Sequence, residues 1–234
     1  MILFILLLAL FLSFFIHIHE WVLQWRGLNH QEESASLPLK SVFRSFTFNQ
    51  SGNLKGWEDK IFHGKSKYTI GFEGDNGFVK GHSNKTSSAI FYRVKFDPSR
   101  YPILAWKWRA GKFPNKGNAA DPKSKDDFSA RVYVIFISRF FTNYRCIEYV
   151  WDESVKEGSV LKSPYSAQIK HLVVQTGHTQ DWISEKQNIV QDYKKLFGEK
   201  PNMKAAAIAL MTDADGSQSE AEGYFDDIQI GRDE

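Results

Sequence analysis

The 234 residues contain one cysteine, Cys146. A single thiol excludes an internal disulfide and any paired-cysteine metal knuckle. Cys146 lies inside a strand pattern, where it reads as a small buried hydrophobe rather than a nucleophile. Charge of one sign is also scarce. The net charge is +3, with Lys, Asp and Glu interspersed, so the basic stripe that nucleic-acid binding requires is missing. There is no G-x-S-x-G elbow and no Gly-rich loop between a strand and a helix, which removes the usual grounds for nucleophilic hydrolysis and nucleotide binding. His63, His82, His171 and His178 are scattered without metal-ligand spacing.

One long apolar run is present, at the start. MILFILLLALFLSFFIHI, Met1 to Ile18, carries no Lys or Arg before it and no small-x-small site after it. At about 1.5 Å per residue it has roughly the minimum length for a membrane-spanning helix. A cleaved signal peptide would need the basic flank and the cleavage site that are lacking. His17, His19, Trp21 and Trp25 follow, as in an interfacial aromatic belt. Residues 1–25 are therefore expected to be a signal anchor in preference to a signal peptide, residues 26–38 a polar linker, and residues 39–234 one globular domain. The domain is expected to face the periplasm or the cell exterior, held at the membrane through residues 1–25.

Aromatic residues make up 15% of the chain, with seven Trp and nineteen Phe, which suits a β-fold. Short strands with Gly-containing turns recur: Val42–Phe46, Tyr68–Phe72, Gly77–Gly81 and Ser88–Phe96, with Gly74-Asp75-Asn76-Gly77 the clearest turn. In PILAWKWRA, Leu104, Trp106 and Trp108 share one face, and Lys107 and Arg109 the other. The Trp pair either packs a core or offers a stacking platform for sugar rings. Val132, Val134 and Phe136 alternate with Tyr133, Ile135 and Ile137, the pattern of a central strand covered on both faces. Phe140 to Asn143 could turn into a second strand, Tyr144 to Trp151. There Ile147, Tyr149 and Trp151 oppose Cys146, Glu148, Val150 and Asp152. Gln168–Gln175, Ala205–Met211 and Gly223–Ile230 read as further strands. Ile189–Phe197 fits a short amphipathic helix stopped by Gly198. The fold class is mostly β, an antiparallel sandwich with one short helix behind an N-terminal membrane helix.

Polar groups gather at the ends of the central strand pair: Asp126, Asp127 and Arg131 at one end, Trp151 and Asp152 at the other. They read either as a solvated rim or as a ligand site. A carboxylate beside Arg can fix a loop or present itself to ligand hydroxyls. Asp127 and Asp152 are candidates for the paired carboxylates of a glycoside hydrolase. Asp213 and Asp215, with Asp226 and Asp227, could supply oxygen ligands to a structural Ca²⁺. An EF-hand is not indicated, because the twelfth position counted from Asp213 is Tyr224 and no helix pattern follows. No other cofactor is expected.

Six segments occur in order: WKWR at Trp106–Arg109, DDFSARVYVIF at Asp126–Phe136, YVWD at Tyr149–Asp152, DYKKLFG at Asp192–Gly198, IALMTDAD at Ile208–Asp215 and YFDDIQI at Tyr224–Ile230. Together they resemble the bacterial domain-of-unknown-function family 3047, over most of the chain from Val42 to Ile230. The resemblance implies an exported bacterial domain with a galactose-binding-like jelly roll, and no reaction. The function expected first is non-catalytic binding of a carbohydrate or cell-envelope ligand by Trp106, Trp108, Arg109, Asp127, Arg131, Tyr149, Trp151 and Asp152. The alternatives are an envelope polysaccharide hydrolase or lyase using Asp127 and Asp152, and a structural or assembly protein of the envelope.

Overall fold

The computed structural model describes residues 42–49, 54–117, 125–138 and 143–233. The expected membrane helix (1–25) and linker (26–38) lie outside them, as does most of the turn at 140–143. Among the described residues, no helix is long and apolar enough to cross a membrane. The described residues all belong to one compact unit, Leu39–Glu234.

In chain order the elements are β1 Val42–Phe46, β2 Trp57–His63, β3 Lys67–Glu73, β4 Asn76–Asn84, β5 Ser87–Phe96, β6 Ile103–Lys112, β7 Ala130–Ile137, β8 Tyr144–Asp152, β9 Val160–Lys162, β10 Ile169–Thr176, β11 Ile183–Asn188, α1 Ile189–Phe197, β12 Lys204–Asp213 and β13 Glu220–Gly231. They build two sheets. The first has the order β11-β6-β13-β4-β3, with β1 also on β13; the second runs β2-β5-β12-β7-β8-β10-β9. The chain alternates between them from β4 to β7 and again from β10 to β13. This is the mostly β sandwich expected, with one helix among the described residues, Ile189–Phe197.

Local chemistry sets the element ends. β3 and β4 pair up to Glu73 opposite Asn76, and Gly74, at φ +62°, supplies the positive φ that a two-residue hairpin needs at its first central position. Helix α1 starts at Asn188, whose side chain accepts from Val190 N at 3.2 Å and Gln191 N at 3.1 Å. It stops at Gly198, φ +77°, which donates to Lys194 O. Its buried residues are Ile189, Tyr193 and Leu196.

Pairing is antiparallel with one exception among the described strands: β10 runs parallel to β8. Residues 153–168 separate the two, and a connection of about a dozen residues or more is what a parallel crossover demands. The strands that pattern reasoning passed over are β9, β11 and β2. The first two are short or polar, and among the described strands all three stand at a sheet edge.

The core lies between the sheets. Leu104, Trp106, Trp108, Phe225, Ile228 and Ile230 meet Val132, Val134, Phe136, Ile147, Tyr149 and Ile208. Part of the outer face of the second sheet is buried as well. There Phe128, Val150 and Val173 form a small cluster, with Val155 and Leu161 against it. β7 is thus covered on both sides, as its double-sided apolar pattern requires.

Candidate functional site

The sequence-derived residues divide among three environments. Trp106, Trp108, Tyr149 and Trp151 do come together: Trp106 lies 5.3 Å from Trp108 and 5.2 Å from Tyr149, and Trp108 lies 5.5 Å from Trp151. They meet inside the sandwich, each 1% exposed or less. Of the two readings of the Trp pair, the structure has the core. Alternation directs these rings inward because Lys107 and Arg109 take the opposite face of β6. A ring buried on both faces has no face to stack on a sugar.

Arg131 and Asp127 sit on the outer side of the second sheet, also buried. Arg131 Nε donates to Asp213 Oδ1 at 2.9 Å, and Nη2 reaches Asp213 Oδ2 and the Asp126 carbonyl. Nη1 donates to Glu148 Oε2 at 2.9 Å and lies 3.5 Å from Asp126 Oδ1. Three carboxylates therefore surround one cation. Burial pushes the Asp126 and Glu148 carboxyls up to about 7 and that of Asp213 up to about 8, against the opposing pull of Arg131. His171 completes the group, with Nδ1 3.2 Å from Asp126 Oδ1 and Nε2 3.5 Å from Glu148 Oε2. Neither contact has hydrogen-bond geometry. Burial and the Arg131 charge hold this imidazole well below its ordinary range. Sequence reasoning named Asp126 and Arg131 here but not Glu148 or His171, which strand pairing alone brings to them.

Asp127 and Asp152 are each engaged locally. Asp127 accepts from Gly216 N and Ser217 N. Asp152 lies 2.7 Å from Lys116 Nζ and accepts from Ser154 N and Val155 N, both at 2.8 Å. Burial raises its carboxyl, but Lys116 and the two N–H groups outweigh burial and hold it below the usual range. Among the described residues no hydrogen bond or ion pair joins Asp127 to Asp152.

The four carboxylates expected around Ca²⁺ are split. Asp226 accepts from Asn76 Nδ2 at 2.9 Å, and Asp227 pairs with Lys107 at 2.8 Å, both on β13 of the first sheet. The carboxylates that gather are Asp127, Asp213 and Asp215, with one oxygen of each within 4.8 Å of the others. This donor set does not fit Ca²⁺. Both Asp213 oxygens are taken by Arg131, Phe128 N also donates to Oδ1, and both Asp127 oxygens accept backbone N–H groups. A guanidinium in contact with a ligand carboxylate opposes a second cation.

Arg109 stands alone of its expected set, on the outer face of the first sheet. It lies opposite Tyr224, which lies opposite Lys80, so three adjacent strands carry one row. The Arg109 guanidinium carbon is 4.5 Å from the Tyr224 ring centroid and 4.9 Å from that of Trp182. Glu73 binds both partners, Arg109 Nη2 at 2.7 Å and Trp182 Nε1 at 3.0 Å. Trp182 and Arg109 together hold the exposed Glu73 carboxyl below its usual range. Phe78 packs beneath, 5.4 Å from Trp182 and 5.6 Å from Tyr224. Gly71 and Gly111 give the rings room. A Cβ on Gly71 would come within 2.6 Å of the Phe78 ring, and one on Gly111 within 2.6 Å of the Tyr224 ring. Trp182 and Tyr224 were missed as site residues. The available signal was a Trp beside a Gly- and Asp-containing turn and the outward Tyr of YFDDIQI.

The chain is similar in structure to the CBM22-1 xylan-binding domain of Paenibacillus barcinonensis Xyn10C, at 10% identity, covering 81% of this chain and 93% of that one, with a TM-score of 0.42. It is similar to the family 30 carbohydrate-binding module of the Clostridium thermocellum cellulase Cel9D-Cel44B, at 10% identity, covering 83% and 98%, with a TM-score of 0.44. It is also similar to the xyloglucanase domain of NopAA from Sinorhizobium fredii, at 11% identity, covering 81% and 99%, with a TM-score of 0.43. No curated protein matches the sequence. The model of the family described as Protein of unknown function (DUF3047) matches residues 55–229, and the chain belongs to that family.

Proposed function

We propose that this chain is a non-catalytic binding domain for a carbohydrate or cell-envelope ligand, built on a galactose-binding-like jelly roll. In this reading the domain is exported and tethered through residues 1–25, and the ligand lies on the outer face of the first sheet. The observation that carries it is the surface group of Trp182, Tyr224 and Arg109. Aromatic rings held in place beside charged hydrogen-bonding groups are what a sugar ring needs, an apolar face to stack on and polar partners for its hydroxyls. Glu73 fixes both Trp182 and Arg109, so little side-chain freedom is left to lose on binding. The hydrolase alternative has less support, because Asp127 and Asp152 are buried and engaged by N–H groups and Lys116.

Binding of the full-length protein to a glycan panel tests this reading. Trp182→Ala is expected to abolish binding while the unfolding midpoint stays close to that of the parent. A Trp182→Ala protein that still binds its glycan removes this face from consideration. Release of reducing ends from a bound polysaccharide would instead establish the enzyme.

A further inference from the structure

We propose that the ligand of this face is an acidic glycan, and that the free edge of the Arg109 guanidinium receives its carboxylate. This rests on the binding-domain reading above and narrows the ligand to one chemical class. A guanidinium carries five N–H donors in a planar fork. Glu73 engages Arg109 at Nη2. Among the described residues, no acceptor meets Nε or Nη1, and neither atom is a buried one left without a partner. Nη2 carries a second N–H, which with Nε or Nη1 makes the two-donor edge a carboxylate needs; the side chain is 18% exposed, and the Tyr224 and Trp182 rings and Glu73 hold it. A held fork matches the two oxygens of a carboxylate, which a lysine ammonium does not. Lys80 adds a second cation in the same row. It pairs with Glu222 at 2.7 Å, with its side chain 39% exposed, and its Nζ lies 5.6 Å from the Tyr224 ring centroid. A hexuronate presents a ring face for stacking and a carboxylate at its edge, which is the combination these residues offer.

The test uses the full-length protein in detergent and calorimetry with three probes: an oligogalacturonate, a cello-oligosaccharide of equal length, and dextran sulfate. The oligogalacturonate is expected to bind about tenfold tighter than the neutral oligosaccharide. Arg109→Lys, which keeps the charge but removes the fork, should erase that preference. Lys112→Gln removes a cation of the same strand that is paired with Glu220, and should keep it. Equal binding of the neutral and acidic sugars overturns the inference but leaves the binding-domain reading standing. Dextran sulfate binding as tightly as the uronate, or a preference that survives Arg109→Lys, reduces the effect to unspecific charge and also overturns it. Binding of none of the probes overturns both.

Discussion

Arg131 and Asp213 face each other through two side-by-side contacts, Nε to Oδ1 at 2.9 Å and Nη2 to Oδ2. This bidentate pair ties β7 to β12 across the outer face of the second sheet, and Glu148 on β8 joins it from the other side. A single buried cation on β7 thus serves carboxylates from both neighbouring strands, Asp213 on β12 and Glu148 on β8, and Asp126 in the segment before β7. Removing it strands all of them. Arg131→Gln is expected to cost about 3–5 kcal/mol, the usual consequence of leaving buried charges without a partner. Chemical denaturation measures this directly, and a shift of the midpoint by less than about 1 kcal/mol would mean that solvent reaches the cluster.

The same excess of acid predicts a pH dependence. Asp126, Glu148 and Asp213 have folded values of about 7, 7 and 8, against about 4 in the unfolded chain. The folded state therefore binds more protons between pH 4 and 8, and stability falls as pH rises through that window, by about 1.4 kcal/mol per pH unit for each proton concerned. His171 acts in the opposite sense. Its folded value lies well below the unfolded value of about 6.5, so it withdraws stability as pH falls below 6.5. The steepest decline is expected between about pH 5.5 and 7, where the folded state still holds most of its three carboxyl protons and they outweigh His171, and it flattens toward pH 8 as those protons leave. Melting temperatures across this range, repeated on Glu148→Gln, provide the check. The variant should show a flatter profile.

Tryptophans that look alike in sequence should behave differently. Trp108 is fully buried against Trp106 and Trp151, so Trp108→Ala is expected to lose about 3–5 kcal/mol. Trp182 packs at the surface against Phe78 and Arg109, so its removal should cost far less stability and act on binding. Denaturation midpoints of the two variants, measured side by side, separate the roles. Equal losses would mean that Trp182 is a core residue.

The contrast between these tryptophans also marks what the sequence could and could not disclose. Period-two alternation places Leu104, Trp106 and Trp108 on one face, and separates Ile147, Tyr149 and Trp151 from Cys146, Glu148, Val150 and Asp152. All of this holds in the structure. Alternation does not say which face is interior, and for β8 both faces are buried, so the pattern carries no direction. The Arg131 cluster draws on β7, β8, β10 and β12, whose adjacency is a property of the sheet and not of any local stretch. β11, ISEKQN, has one apolar residue and owes its strand state to pairing with β6. The ends of α1 were legible because capping is local: Gly198 stands where the apolar period stops.

A last prediction concerns how closely the two sheets approach. Gly223 on β13 faces Ser129, just before β7, and a Cβ there would lie 2.2 Å from the Ser129 carbonyl oxygen and 3.0 Å from Thr212 Oγ1. That carbonyl accepts a hydrogen bond from Thr212 Oγ1 at 2.8 Å, so it has little freedom to retreat. Overpacking a core typically costs about 1–3 kcal/mol, and here the obstacle is backbone, which yields less readily than a side chain. Gly223→Ala should therefore reach the upper part of that range. Gly158→Ala, where a Cβ meets nothing within 4 Å, should cost only about 1–2 kcal/mol for its positive φ. Denaturation of both variants tests the difference. If Gly223→Ala proves the milder of the two, the sheets can separate at this corner without loss, and the bond from Thr212 does not keep the Ser129 carbonyl in place.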